Sequence, residues 1–352
     1  MARITSTWAA LLLADPSPCL RTLVLSELMR KSVDDPEIGE LSILRDSDPL
    51  VVDLLELQRQ DGSWKTISSL AQSGRIHSTA LALAQLGYMG FDGDHPAVRQ
   101  GAEFLFAHQE DDGSWPMSGE SDDSERDASK RLGNYSMMPL QTSIPLRALA
   151  ICGYATDPRA ESAYDWLLEQ RLPDGAWPTG IASGVFGYVA GYRRLAHSRW
   201  GCRSNTTGAL SCLALHPTRR GSEQARRALD LLLGRETRER SNLGFEVARL
   251  IGIERPRGFL TFFARFDPAQ IIDLCWRVGA SLDDDRVADL VDFVLSAQGP
   301  YGLWEYMPNP GASRWITFDL LRSLTRLDDS GGWLSLEPRT PFQAYPRRDA
   351  RY

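Results

Sequence analysis

Apolar positions along the chain fall mostly at helical spacing. The clearest stretch is 285–298, where Val287, Leu290, Val291, Val294 and Leu295 recur at i, i+3, i+4, i+7 and i+8. That is the stripe of an amphipathic helix. More uniformly apolar runs end at glycine: "TALALAQLG" (79–87), "IPLRALAICG" (144–153) and "DLCWRVG" (273–279). They predict helices with little solvent-facing surface. "SPCLRTLVLSELM" (17–29) predicts a helix near the start, and "SRWITFDLLRSLTRL" (313–327) the last inner helix. No run alternates with the period of a half-buried strand. The expected class is all-α.

The polar breaks between these runs repeat. "QRQDGSW" (58–64), "QEDDGSW" (109–115), "QRLPDGAW" (170–177) and "QGPYGLW" (298–304) share one plan, with Trp64, Trp115, Trp177 and Trp304 at 51-, 62- and 127-residue steps. The last step is about double, so a degenerate copy is expected between; 226–246 fits, with Gly244-Phe245 where Gly-x-Trp would stand. Each unit reads as an amphipathic outer helix, a turn, a loop and an apolar inner helix. Gly62, Gly113, Gly175 and Gly302 supply the positive φ of the turn. The Gln can satisfy backbone groups at the helix end, and the indole can cover it and pack on the neighbouring hairpin. Five units plus the ends predict about twelve helices in one domain, 1–336, with an extended tail, 337–352, rich in proline.

Composition narrows the function classes. A net charge of −7 with no basic run leaves no footprint for nucleic acid or an anionic membrane surface. Five cysteines, an odd number without a CxxC pair, imply a reducing cytoplasm. "WAALLLAD" near the start is too short for a secretory signal, and no run approaches a membrane span. The expected location is cytoplasmic, with peripheral membrane contact left open.

The clips resemble the repeats of terpenoid cyclases, the squalene-hopene and oxidosqualene group, over roughly residues 50 to 327. Protein prenyltransferase β subunits share that fold. The resemblance implies an (α/α)6 barrel, six inner and six outer helices around an apolar central cavity, and an isoprenoid or lipid as the small-molecule partner. It implies chemistry less directly. Cyclases of this class protonate their substrate with an aspartic acid in a DxDD motif; the nearest string here is Glu120-Ser121-Asp122-Asp123, in a polar stretch. At the first inner helix, "RIHSTALAL" presents Arg75, His77 and Ser78 instead. Prenyltransferases hold zinc with Asp-x-Cys and a later His. Asp273-Leu274-Cys275 matches the first part, but all five histidines precede it. Zinc is therefore not expected, and magnesium only with a diphosphate substrate.

Charges inside the apolar runs are the candidate site. Glu246, Asp273 and Asp319 are the candidate catalytic carboxyls, each with an arginine one turn on: Arg249, Arg277 and Arg322. That spacing also suits intrahelical ion pairs, which would lower the carboxyl pKa and argue against an acid. Trp200, Trp276, Tyr306, Trp315, His77, Arg277 and Arg322 are the candidate substrate contacts, aromatic faces for a carbocation and arginines for an anionic headgroup. Three functions fit these features: a terpenoid cyclase-type enzyme with non-standard residues, a non-catalytic isoprenoid or lipid binder, and a scaffold whose interior is filled.

Overall fold

A computed structural model describes residues 8–65, 74–115, 139–182, 185–186, 189, 194–234, 240–254 and 267–327. Glu120 to Asp123 and the tail lie outside them. The N-terminal helices are α1 (Trp8–Leu13), α2 (Pro18–Leu23), continued by a wider π turn at Val24–Leu28, and α3 (Pro36–Leu44). Helical hairpins follow. They are α4 (Pro49–Leu55) with α5 (Arg75–Tyr88), α6 (Pro96–Ala107) with α7 (Pro139–Leu149), and α8 (Pro158–Glu169) with α9 (Arg203–Leu215). Next come α10 (Glu223–Leu233), a short α11 (Phe245–Leu250) and α12 (Pro268–Val278). The last pair is α13 (Asp285–Ser296) and α14 (Ser313–Leu327).

Many starts share one device. Asp35, Asp48, Asp157 and Asp267 each precede a proline and accept a backbone N–H from the first turn. Proline needs no partner for the N–H it lacks, and the carboxylate satisfies a donor that the helix leaves open.

Inner helices α5, α7, α9, α12 and α14 pack side by side in that order, and outer helices α6, α8, α10 and α13 lie mainly against the inner helix that precedes each of them, α5, α7, α9 and α12. The N-terminal helices take the sixth place. α1 and the π turn pack on α14, and Arg45 and Leu23 reach Gly90, just past α5. Arg326–Glu27 (3.0 Å) and Arg314–Asp15 (3.2 Å) tie the last helix to the first. The expected all-α ring of hairpins is what forms. One detail differs: Ile181–Ala182 and Val185–Phe186 make a two-stranded antiparallel ribbon, too short to leave a period-2 pattern.

The clips bond identically in the four Trp repeats. Each indole Nε1 donates to the carbonyl ten residues upstream, Leu54, Leu105, Leu167 or Val294, at 2.6–2.8 Å. Each Trp backbone N–H donates to a threonine in the next inner helix: Thr79, Thr142, Thr206 or Thr317. Gln58 and Gln109 also donate to Ala97 and Arg159 carbonyls in the first turn of the next outer helix. A clip thus joins its own outer helix to both helices that follow. The four indoles are among the largest fully buried side chains. Gly62 has φ +84°, and a Cβ there would lie 2.4 Å from the Gln100 carbonyl of α6; the turn needs glycine for both reasons.

Thr142→Val isolates the threonine's part. It keeps the shape and leaves the Trp115 N–H buried without its acceptor. The expected loss is about 1–3 kcal/mol, read from urea unfolding. An unchanged midpoint would show that this bond contributes nothing.

Candidate functional site

The fourth repeat departs from the plan. Gly244 keeps the clip's conformation at φ +79°, but the residue two places on, tryptophan in the other four, is Glu246. Its N–H donates to Asp267, at the cap of α12, where a threonine would accept. The register therefore puts Glu246, not Phe245, in the tryptophan's place. A Cβ on Gly244 would meet Ile316 of α14, whereas the turns at Gly62 and Gly113 back onto outer helices. The turn and α11 dip into the ring, and α11 packs on α5 and α14. Asp267 accepts from Gly244, Glu246 and Ala269; burial pushes it up to about 7 against those three bonds.

α11 brings Glu246 and Arg249 to the barrel axis. Arg249 grips Glu246 through Nε (2.9 Å) and Nη2 (2.6 Å). Arg147, from α7 across the ring, donates to the same carboxylate. Burial raises Glu246, but Arg249 and then Arg147 more than offset it and hold the carboxyl below its ordinary range. On α12, Asp273 accepts from Arg277 Nε (2.8 Å) and Trp276 Nε1 (3.0 Å). It too is held low: burial acts upward, and Arg277 and Arg322 outweigh it. Asp319 on α14 accepts from Arg322 and from the Tyr88 hydroxyl (3.1 Å). Here burial wins. Asp319 is pushed up to about 6, with Arg322 opposing and Asp273 adding to the rise. Tyr88 is raised well above its ordinary value by burial and by Asp319, so it is a neutral donor.

Glu246, Asp273, Asp319, Arg147, Arg277 and Arg322 all line one space on the axis, of about 30 Å³. A single water needs about 10–15 Å³ of such space, so there is room for water. Where an apolar central cavity was expected, the space that these described residues line is polar, with three arginines and three carboxyls in its walls.

The other expected contacts do not line this space. Trp200 is 37% exposed. Arg277 and Arg326 both lie over the Trp276 ring, at 4.5 and 4.6 Å from its centre. The Tyr306 hydroxyl donates to Glu254, and Trp315 packs on Tyr88. Burial and Arg249 depress His77 to about 4, so its ring is neutral. Arg147, Tyr88 and Asp267 were missed by sequence reasoning. Arg147 carried a signal, as the one charge in "IPLRALAICG".

A second space, about 230 Å³, opens between α4, α5 and residues 251–254. Leu50, Leu54, Leu57, Leu81, Met89 and Ile251 wall it, with Asp53, Gln85 and Glu254 as polar lining.

Residues 45–190 match the squalene-hopene cyclase C-terminal domain. Together with the clips, this makes the chain similar to that family over less than half of its length. Among solved structures, the chain is similar to a protein from Actinoplanes at 18% identity and a TM-score of 0.41, covering 92% of this chain and 89% of that one. It is also similar to a variant of the type II terpene cyclase MstE from Scytonema in complex with geranylgeranyl dihydroxybenzoate, its substrate. There the identity is 15% and the TM-score 0.33, over 79% of this chain and 95% of that one. These likenesses are too distant to carry either protein's chemistry to this chain. No curated protein matches it. Among the described residues, no helix is long and apolar enough to cross a membrane.

Proposed function

We propose that this protein binds an isoprenoid in the crevice between α4, α5 and residues 251–254, while its ion-paired centre serves as frame. The contrast between the two spaces supports this reading. The crevice has six apolar walls and about 230 Å³; the axis has six charged groups and about 30 Å³. Pockets for drug-sized ligands run from about 300 to 1,000 Å³, so the crevice suits a short prenyl chain better than a fused polycycle. Asp53 and Glu254 favour a neutral ligand; a diphosphate would have to bring magnesium with it.

The test is mass spectrometry of an organic extract of the natively purified protein, followed by uptake of farnesol by the native protein and by Leu57→Trp, which fills the crevice. The expected result is a prenyl compound in the extract and at least a tenfold loss of uptake in the variant. An empty extract together with no farnesol uptake would sink the reading.

One observation favours an enzyme instead. Asp319 is the central carboxyl driven up to about 6, and it faces the axial space, so it can hold and release a proton near neutral pH. In that reading Asp319→Asn abolishes turnover of the extracted compound while leaving its binding unchanged. Glu246 and Asp273, both held ionised by arginines, would then stabilise charge rather than give protons.

A further inference from the structure

We infer that the outer face of α3 is the docking site of this chain's own C-terminal segment, residues 333–352. The inference does not rest on the isoprenoid reading, and neither fails with the other.

The face carries apolar groups that nothing covers. Among the described residues eight large apolar side chains are exposed, and five of them, Met29, Val33, Ile43, Leu44 and Val52, fall between residues 29 and 52. Val33 is 82% exposed and Ile43 80%. The inner side of α3 uses Ile38 and Leu41 to form a small cluster with Leu25, separate from the main core, and the helix packs on α2 and on the turn that follows it. Its other side has Gly39, Glu40, Ile43 and Leu44, all exposed and within one turn of each other. A Cβ on Gly39 would meet nothing within 4 Å. Exposed apolar groups gathered in this way mark a contact surface.

The same run is acidic. Residues 33–56 hold eight acids against Arg45 alone. Widening the count to 21–56, so that Arg21, Arg30 and Lys31 are included, still leaves nine acids against four bases. Lys31 bridges Asp35 and Glu37 (3.2 and 3.0 Å), His95 lies 3.7 Å from Asp46, and Asp48 caps α4. Asp34, Glu40, Asp53 and Glu56 are exposed without an ion pair among the described residues.

Position and chemistry select the occupant. α14 packs on the π turn at Val24–Leu28, and Arg326 bonds Glu27 at 3.0 Å. The chain therefore leaves Leu327 beside the start of the apolar run. The 25 residues that follow (352 − 327) can reach about 80 Å at roughly 3.3 Å each, whereas α3 is only about 14 Å long. They carry what the face lacks. Trp333, Leu334 and Leu336 come first, then Phe342 and Tyr345. Between 337 and 352, four arginines face two acids, Glu337 and Asp349. Pro338, Pro341 and Pro346 restrict φ and so lower the entropy lost on docking. Attachment through α14 keeps the segment at high local concentration, which a free partner must outcompete.

The test uses the full chain. With photoreactive p-benzoylphenylalanine in place of Phe342, irradiation should join it, within one molecule, to the tryptic peptide 32–45 that spans α3. Val33→Asp with Ile43→Asp should remove that adduct and speed tryptic cleavage after Arg347 and Arg348 about tenfold. The urea midpoint should hold, since both side chains are exposed. Arg347→Glu with Arg348→Glu leaves the ring untouched and should lower the adduct severalfold. Equal adduct in the native and Val33→Asp/Ile43→Asp proteins would overturn the inference, as would an adduct elsewhere on the ring. An adduct between two molecules would overturn it in favour of a second copy. Flotation of the native protein with phosphatidylcholine vesicles, lost in Val33→Asp/Ile43→Asp, would overturn it in favour of a membrane.

Discussion

Glu246→Leu will cost about 3–5 kcal/mol, because it strands Arg147 and Arg249 in the interior without their shared carboxylate. A protein of this kind has roughly 5–15 kcal/mol in all, so much of its stability would go. The size follows from burial. Glu246 is 1% exposed, Arg249 3% and Arg147 6%, so water cannot take over the lost bonds. The loss belongs to stranded charge rather than to the ion pair itself, and that distinction is testable. Replacing all three by apolar residues of similar volume, Glu246→Leu with Arg147→Met and Arg249→Met, should restore most of the stability lost in the single variant. Urea unfolding of the native, single and triple proteins reads both steps. If the single variant stays within about 1 kcal/mol of the native protein, the triad is not what holds α11 in the ring.

Trp177→Ala should cost a similar amount, about 3–5 kcal/mol, for a different reason. The indole is fully buried, and it closes the third clip by donating to the Leu167 carbonyl at 2.6 Å. Its removal leaves a cavity where α8 meets α9. Trp177→Phe separates the two contributions. The ring remains, the N–H is lost, and the cost should fall to about 1–3 kcal/mol, the desolvation of one carbonyl. Equal losses in both variants would mean that the hydrogen bond, and not the packing, is the clip's main contribution.

Much of the ring was legible because its repeats are local. A Gln, a Gly with positive φ and a Trp lie within seven or eight residues, so one pass along the chain finds them. The pairs Glu246/Arg249, Asp273/Arg277 and Asp319/Arg322 were legible for the same reason, since one helical turn sets their spacing. What joins distant segments was not. Thr79, Thr142, Thr206 and Thr317 lie 15, 27, 29 and 13 residues beyond their tryptophans, and no period links them. Each nevertheless stands in the first turns of an inner helix, a regularity visible only once the helices are placed. Arg147 meets Glu246 across 99 residues and Tyr88 meets Asp319 across 231. The nature of the axis depends on those meetings, which is why a helical ring could be expected from the repeats while its polar interior could not. The displaced register at Gly244 had a further cause: the residue in the tryptophan's place is a charged one, and a search for aromatics lands on Phe245.

Closure of the ring through α14 also sets a schedule for synthesis. Asp15 and Arg314 are 299 residues apart, as are Glu27 and Arg326. At roughly 5–20 residues per second, a ribosome needs about 15–60 s to add that length. For most of that interval the first helices are outside the tunnel with their final neighbour still unmade. Their apolar faces must then be sheltered by the growing stack of hairpins or by a chaperone. A nascent chain stalled before residue 313 should accordingly stay open to protease at its N-terminal end, and one released after residue 327 should not.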